Sequence, residues 1–364
     1  MGRSAVAART QRARKAKKRL EKSNTHSFAQ LSAEELAKRG EQLADQGQYA
    51  EARKLLAASL EKKVDPDVMF TMACCLIELS RPEEAKQMLV RSCELSPDTE
   101  PNKWLTLAEL QHGNESLRCF EKATELLKRE LTSESEPVAM DEGTGQTPAD
   151  NQERIKKLTA RKLSSVYVCI SELFTTGGYG DAESCGEITC MLACSTSQED
   201  LWRHHAVLID LCDEPDAEVR VTAALNEALE LDSSNPEVFQ AKANYHMIKG
   251  ELGEATVEMK RSLDLWLPLF DRTVEGGLDD SELIPQFNVR LSAAKMLLEL
   301  KMFAEATTVL DGLVLEDEDC VDAWYLLGWL NFLRKEDYLP NAKFYLKKAL
   351  RVRGNIMICQ RAAP

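Results

Sequence analysis

Little in this chain points to catalysis, membranes or metals. No window comes near the roughly 18 apolar residues of a membrane span, and no apolar stretch follows the first basic residues as it would in a secretion signal. A Gly-rich phosphate loop, GxSxG and HExxH are all lacking, and the five His are dispersed apart from His204-His205. The eleven Cys have neither the spacing of a disulfide framework nor a CxxC pair. They mostly occupy apolar helix positions, as at Cys74, Cys75, Cys93, Cys119 and Cys169, which implies a reducing compartment. A zinc site drawn from His204, His205, Cys190, Cys194 and Cys212 matches no familiar ligand spacing, and buried thiols beside a surface histidine pair account for them better. These absences predict a protein that is not an enzyme, with no catalytic residue, metal, cofactor, small-molecule substrate or membrane partner. Pro (12) and Gly (17) are sparse too, while 44% of residues are apolar and 29% charged, the balance of a mostly helical chain with ample core.

What is present is a period. Small residues recur about every 34 positions, at Gly40, Ala73 and Ala108 and again, after irregular segments, at Ala243, Ala294 and Gly328. A second small residue follows each of several by about twelve positions, at Ala52, Ala85, Ala255 and Ala306. Four residues further on stands a large apolar one: Leu56, Leu89, Met259 and Leu310. Two antiparallel helices cross closely only where neither carries a bulky side chain, and each pair then buries its remaining apolar face on the next. That is the tetratricopeptide repeat (TPR) pattern. The expected fold is all-α, a TPR-type solenoid of about seven helix pairs at roughly 34 residues each.

The first unit is expected from Ser32, an N-cap with Glu35 three residues on, to Asp65, with helices 33–45 and 49–62 turning at Gln46-Gly47-Gln48. The second, 66–99, carries Met69, Met72, Ala73 and Leu76 on one helix and Ala85, Leu89 and Ser92 on the other. The third starts at Pro101, but its Ser116, Phe120 and Ala123 arrive about four residues early, so a turn or the loop is shortened. Residues 32–131 form the N-terminal repeats. Residues 132–153 lack periodicity and are rich in Ser, Thr, Glu, Pro and Gly, which predicts a disordered acidic linker. The C-terminal repeats span 154–353. Tyr167, Ile170, Ser171 and Phe174 start a fourth unit whose partner helix is 217–231, leaving 175–209 as a candidate insertion. Phe239, Ala243, Ala255 and Met259 mark the fifth unit, a loop is expected over 268–285, and units six and seven begin near Phe287 and Val321. The sequence predicts an irregular tail at 354–364 and no terminal capping helix.

Charge is divided unevenly. Residues 1–22 hold nine Lys or Arg and one Glu, so a net −14 becomes −22 over the remaining 342 residues. Residues 1–31 read as a disordered basic tail. Lys15, Lys17, Lys18 and Arg19 are candidates for nuclear import or nucleic-acid contact, against a solvated tail or one folding back on the acidic body. First helices of successive TPR units line the concave groove. One residue past each small packing position, the sequence places Glu41, Cys74, Glu109, Glu172, Asn244, Lys295 and Trp329, with Asp45, Glu78, Glu237, Glu299 and Asp322 on the same helical face. Such a groove attracts a basic, extended partner, although so acidic a chain puts carboxylates on every exposed face. Tyr325, Trp329 and Phe332 fall at i, i+4 and i+7 and are candidate aromatic anchors, with Trp329 equally suited to the core.

Several stretches carry a family likeness. LDGLVLEDEDCVDAWYLLGWLNFL (310–333) resembles the C-terminal signature of the dedicated assembly chaperones of large-subunit ribosomal protein L-four. DLCDEPDAE (210–218), EALELDSSNPE (227–237) and WLPLF (266–270) are similar to the same family, and together the stretches cover roughly residues 160–350. The resemblance implies a TPR solenoid that captures newly made ribosomal protein L-four, shields its basic internal loop, accompanies it into the nucleus with the import machinery and releases it on the nascent large subunit. Cytoplasmic and nuclear localisation follow, and direct nucleic-acid binding is not expected. The stretch 175–209 and the ending beyond Arg353 depart from the family, which puts repeat four, the C-terminal cap and full client binding in doubt. Two other readings stay open. A co-chaperone gripping the acidic end of a heat-shock chaperone needs a clamp of Lys, Arg and Asn where this chain offers Glu41, Asp45 and Glu78. A TPR scaffold in RNA processing would use the basic tail on RNA.

Overall fold

The computed structural model describes residues 31–132, 148–175, 216–274 and 284–362, and among them every regular element is helical. The basic tail with Lys15, Lys17, Lys18 and Arg19, most of the linker, and the stretch 176–215 lie outside the described residues. Two compact units are formed, Met1–Arg129 and Glu130–Pro364. The first contains the helices α1 (Ala33–Asp45), α2 (Tyr49–Lys62), α3 (Pro66–Glu78), α4 (Pro82–Leu95), α5 (Pro101–Glu109) and all but the last residues of α6 (Gly113–Thr132). The second contains α7 (Pro148–Thr175), α8 (Ala217–Leu231), α9 (Pro236–Ile248), α10 (Leu252–Val274), α11 (Phe287–Glu299), α12 (Phe303–Glu316), α13 (Val321–Leu333) and α14 (Leu339–Ala362).

Local chemistry sets where helices start. Ser32 caps α1 through a reciprocal pair: its Oγ accepts from the Glu35 amide (3.1 Å), while its own amide donates to the Glu35 carboxylate (2.8 Å). Asp65 and Asn235 cap α3 and α9, and Pro66, Pro82, Pro101 and Pro236 stand where a missing N–H costs nothing, in the first turn of α3, α4, α5 and α9. In the third unit the shortening falls on the first helix. α5 has 9 residues where α1 and α3 have 13, one turn fewer.

Within each pair the expected small residues sit at the crossing. A Cβ built on Gly40 would stand 2.7 Å from the Leu56 side chain, and one on Gly328 would stand 2.7 Å from Leu346. Gly40, Ala52, Leu56, Ala73, Ala85 and Leu89 are all buried in the first unit. In the second unit one core joins Ala243, Met259, Ala294, Ala306, Leu310 and Leu327. Successive pairs join through second-to-first helix contacts (α2 on α3, α12 on α13) and through first helices lying side by side (α1 and α3, α9 and α11, α11 and α13). Those side-by-side first helices present the predicted binding face.

A device that the sequence analysis did not single out also holds the pairs. Ser59, Ser92 and Ser262, each completely or almost completely buried, donate from the second helix to the carbonyl of the first residue of the helix before: Ala33 (2.7 Å), Pro66 (2.7 Å) and Pro236 (2.8 Å). The separation is 26 residues each time. In α12 the same register holds Leu313, fully buried, so apolar packing replaces the tether there.

Three sequence expectations need correction. The linker was drawn to residue 153, but α7 begins at Pro148; proline is favourable at the start of a helix, and the Ser/Thr/Glu composition before it concealed the boundary. The loop expected from Pro268 begins later, because α10 runs through that proline to Val274. Trp266, 0% exposed, and Phe270, 4% exposed, lie either side of it in contact with the core, with ring centroids 5.7 Å apart. Burial of two large aromatics outweighs the roughly 3 kcal/mol penalty of an interior proline. Phe270 fits because α12 carries Gly312 opposite, where a Cβ would come within 2.3 Å of the ring. The third correction concerns 354–364, expected to be irregular: α14 stays helical to Ala362.

Ser92→Ala removes the donor to the Pro66 carbonyl at a site fully closed to water. It should lower unfolding free energy by about 1 kcal/mol, read as a reduced urea midpoint at unchanged slope, whereas Thr222→Ala, whose exposed hydroxyl bonds to the Glu218 carbonyl within its own helix, should change it less.

Candidate acidic first-helix faces

Four of the predicted carboxylates lie on the first helices of the N-terminal unit. Glu41 and Asp45 stand one turn apart on α1, Glu78 on α3 and Glu109 on α5, and all four are exposed. Carboxylates of α3 and α5 both act on Cys74 of α3. Its thiol is pushed up to about 11, mainly by desolvation and Cys75, with the charges of Glu78 and Glu109 adding to the effect. Glu109 is itself shifted upward by desolvation although its side chain is accessible to water. Accessibility combined with desolvation marks a side chain open to solvent on one side and walled by protein on the others.

The C-terminal unit repeats this arrangement on more helices. Glu172 on α7 is exposed yet raised to about 7, first by desolvation and then by the charge of Glu237 on α9. Glu237 is half-buried. Its backbone amide donates to the Asn235 side chain that caps α9 (3.0 Å), and its Oε2 accepts from the Ser165 hydroxyl of α7 (2.5 Å). Ser165 is a member of this site that sequence reasoning missed, since nothing local marks a residue 72 positions away as its partner. Glu299 on α11 follows Glu109, exposed and shifted upward by desolvation, while Lys295 one turn before it is an exposed cation on the same helix. Asp322 lies exposed in the first turn of α13.

Tyr325 and Trp329 are both half-buried against the core of the second unit. Burial pushes the Tyr325 hydroxyl above its ordinary pKa. Trp329 stacks on Phe332 with centroids 5.4 Å apart and planes 25° from parallel, so it is neither enclosed nor free-standing. Trp324, by contrast, is pinned by α14: it stacks on Tyr345 (6.1 Å), lies under the Lys348 ammonium (5.2 Å) and donates its indole N–H to the Glu318 carbonyl (2.8 Å). The structure therefore brings together Cys74, Glu78 and Glu109 in one unit, and Glu172 with Glu237 in the other. Among the described residues no group of three or more His, Cys, Asp or Glu could hold a metal ion, and no helix is long and apolar enough to cross a membrane.

A geometry of exposed, desolvated carboxylates and half-buried aromatics can bind cations along its length and grip an apolar side chain beside them. Comparison with known proteins adds to this. A tetratricopeptide repeat model matches residues 66–99. The chain is 26% identical over 282 residues to the protein named "Probable assembly chaperone of rpl4" of Schizosaccharomyces pombe, covering 73% of this chain and 66% of that protein. It is 37% identical over 116 residues to the protein of the same name in Emericella nidulans, covering 32% of this chain and 28% of that protein. The match thus spans just under two thirds of the first relative's length and less than a third of the second's. Among solved structures, "Assembly Chaperone of RpL4 (Acl4) (Residues 1-338)" superposes with a TM-score of 0.61 at 22% identity, covering 84% of this chain and 98% of that one. That likeness establishes the fold.

Because Glu172 ionises only near neutral pH, a cation bound beside it must first expel a proton at pH 6 but not at pH 8. Affinity for an oligo-arginine peptide should therefore rise over that interval by at most about tenfold, less where solvent screens the site. In Glu172→Gln the slope should flatten, and titration calorimetry in buffers of different ionisation enthalpy should show proton release falling with it.

Proposed function

We propose that this protein is a chaperone of a newly made basic ribosomal protein, of the class of large-subunit protein L-four, which it holds on the acidic faces of its first helices. The observation that carries the reading is its similarity to two curated proteins named as assembly chaperones of rpl4. The geometry agrees in sign and form. A ribosomal protein away from rRNA is an unpaired polycation, and carboxylates such as Glu41, Glu78, Glu109, Glu172 and Glu299 stand in for the phosphates it lacks. Tyr325 and Trp329 offer an apolar anchor that would fix the register of an extended segment. No chemistry is needed for such a role, and the relatives' names denote chaperones and not enzymes. In the same proposal the basic run Lys15, Lys17, Lys18 and Arg19 engages the import machinery, so that the protein works in cytoplasm and nucleus.

The heat-shock co-chaperone reading is disfavoured by sign: on α1 and α3, where a carboxylate clamp needs cations, Glu41, Asp45 and Glu78 are exposed acids. An RNA-processing scaffold would need basic surface, which the acidic first-helix faces do not supply.

Two experiments test the proposal. The chain should bind purified ribosomal protein L-four and keep it soluble, and should lose it when the client's basic internal loop is deleted. Raising salt from about 0.1 to 0.5 M, which shortens the Debye length from roughly 10 to 4 Å, should weaken the complex markedly. Glu41→Lys with Glu78→Lys should weaken it further at unchanged helical circular dichroism. The same reversals at Glu61 and Glu94, exposed on second helices, should do far less; equal losses would show that net charge alone governs binding. For transport, replacing Lys15, Lys17, Lys18 and Arg19 by Ala should leave a fluorescent fusion more cytoplasmic, and an unchanged distribution in cells depleted of the client would refute the import role.

A further inference from the structure

The last helix departs in sign from the rest of an acidic chain. Residues 339–354 hold Lys343, Lys347, Lys348, Arg351 and Arg353 and no Asp or Glu. Ala342, Ala349 and Val352 of α14 are buried, and Tyr345 and Leu346 turn the same way, toward α13. Lys348 is committed to the Trp324 ring. At 100° per residue the opposite face of the helix carries Leu339, Lys343, Phe344, Lys347, Leu350 and Arg351. All six are exposed, with Leu339 at 43%, Phe344 at 63% and Leu350 at 68%. Lys343, Lys347 and Arg351 run at i, i+4 and i+8 down the middle of this face, with Leu339 and Leu350 along one border and Phe344 along the other, a basic row with apolar edges that has no partner among the described residues. It extends over about 16 Å, three turns of helix.

We propose that this outer face of α14 is a docking surface for an acidic amphipathic helix of a partner protein. Charge complementarity selects an acidic partner, since Lys343, Lys347 and Arg351 repel a basic one. The apolar borders select a protein over a nucleic acid. Phosphates would neutralise the cations but leave Leu339 and Leu350 in water, whereas a helix with Leu or Phe at i, i+3/i+4 and i+7 and Glu or Asp beside them covers both. The surface lies on a second helix, away from the acidic first-helix faces, and an acidic ligand is repelled by those faces. The inference therefore stands independently of the client reading.

The test uses the full chain and a fluorescein-labelled synthetic 18-residue peptide with Leu at i, i+3 and i+7 and Glu elsewhere on the contacting face, read by fluorescence anisotropy. Binding is expected, and it should weaken by about tenfold in Lys347→Glu/Arg351→Glu and by a comparable factor in Phe344→Ser/Leu350→Ser. It should also weaken when the peptide's Leu are replaced by Ser. All four positions are solvent-exposed, so both variants should keep the parent circular dichroism and Tm. Should either pair fail to fold, the single Lys347→Glu carries the test, with an expected loss of severalfold. Peptide binding indifferent to both pairs would overturn the proposal. So would tighter binding of an 18-nucleotide oligouridylate through Lys347 and Arg351, which would make the face a nucleic-acid site. Self-association in sedimentation equilibrium that Phe344→Ser/Leu350→Ser abolishes would also overturn it, by assigning the face to a second copy of the chain.

Discussion

The whole arrangement depends on how closely two helices can cross. Where Gly40 meets Leu56 and Gly328 meets Leu346, a single added methyl group would overlap the opposing leucine. That proximity lets one large side chain fill the crossing and leaves the outer faces of the pair free to bury against the next pair. It also fixes which residues point away from the core. Once Gly40 and Ala73 are inside, the residue after each must face the exposed side of the first helix, so the register of the acidic face is a consequence of the packing and not a separate feature.

This is why the fold was largely legible in sequence. In the first unit the expected helices agree with α1 and α2 to the residue, because a capping box, a Gln-Gly-Gln turn and a terminal Asp-Pro all punctuate the same spans. Reading failed where local rules were overruled by distant packing. Pro268 signals an ending, yet Trp266 and Phe270 around it are held by a core that includes Gly312, more than forty residues on, and the helix continues. The serine tethers recur at a constant 26-residue interval between a buried hydroxyl and a helix start. They look like ordinary polar residues until the carbonyl that accepts them is seen.

The candidate site was legible in position and not in character. Spacing alone places Glu41, Glu78, Glu109, Glu172 and Glu299 on first helices. It cannot tell that Glu109, Glu172 and Glu299 are desolvated, since that depends on protein mass contributed by neighbouring helices. Nor can it tell that the Ser165 hydroxyl engages Glu237, or that Trp329 rests on Phe332 while Trp324 is taken up by α14. The basic outer face of α14 falls within the span read as the last repeat, but the repeat pattern marks only the positions that pack, and Lys343, Lys347 and Arg351 are exposed.

Desolvation of these carboxylates has a physical consequence for the faces that carry them. A row of fully ionised acids in close array repels itself and costs stability. Raising the pKa of a member such as Glu172 toward 7 lets it remain partly protonated near neutral pH, which lowers that repulsion. A lysine or arginine placed beside it would offset the cost of ionisation and release the proton. The charge of such a face would be drawn out by a cation instead of being carried throughout. A face of this kind discriminates between a dense polycation, which ionises neighbouring acids together, and scattered surface lysines, which meet them one at a time and gain less.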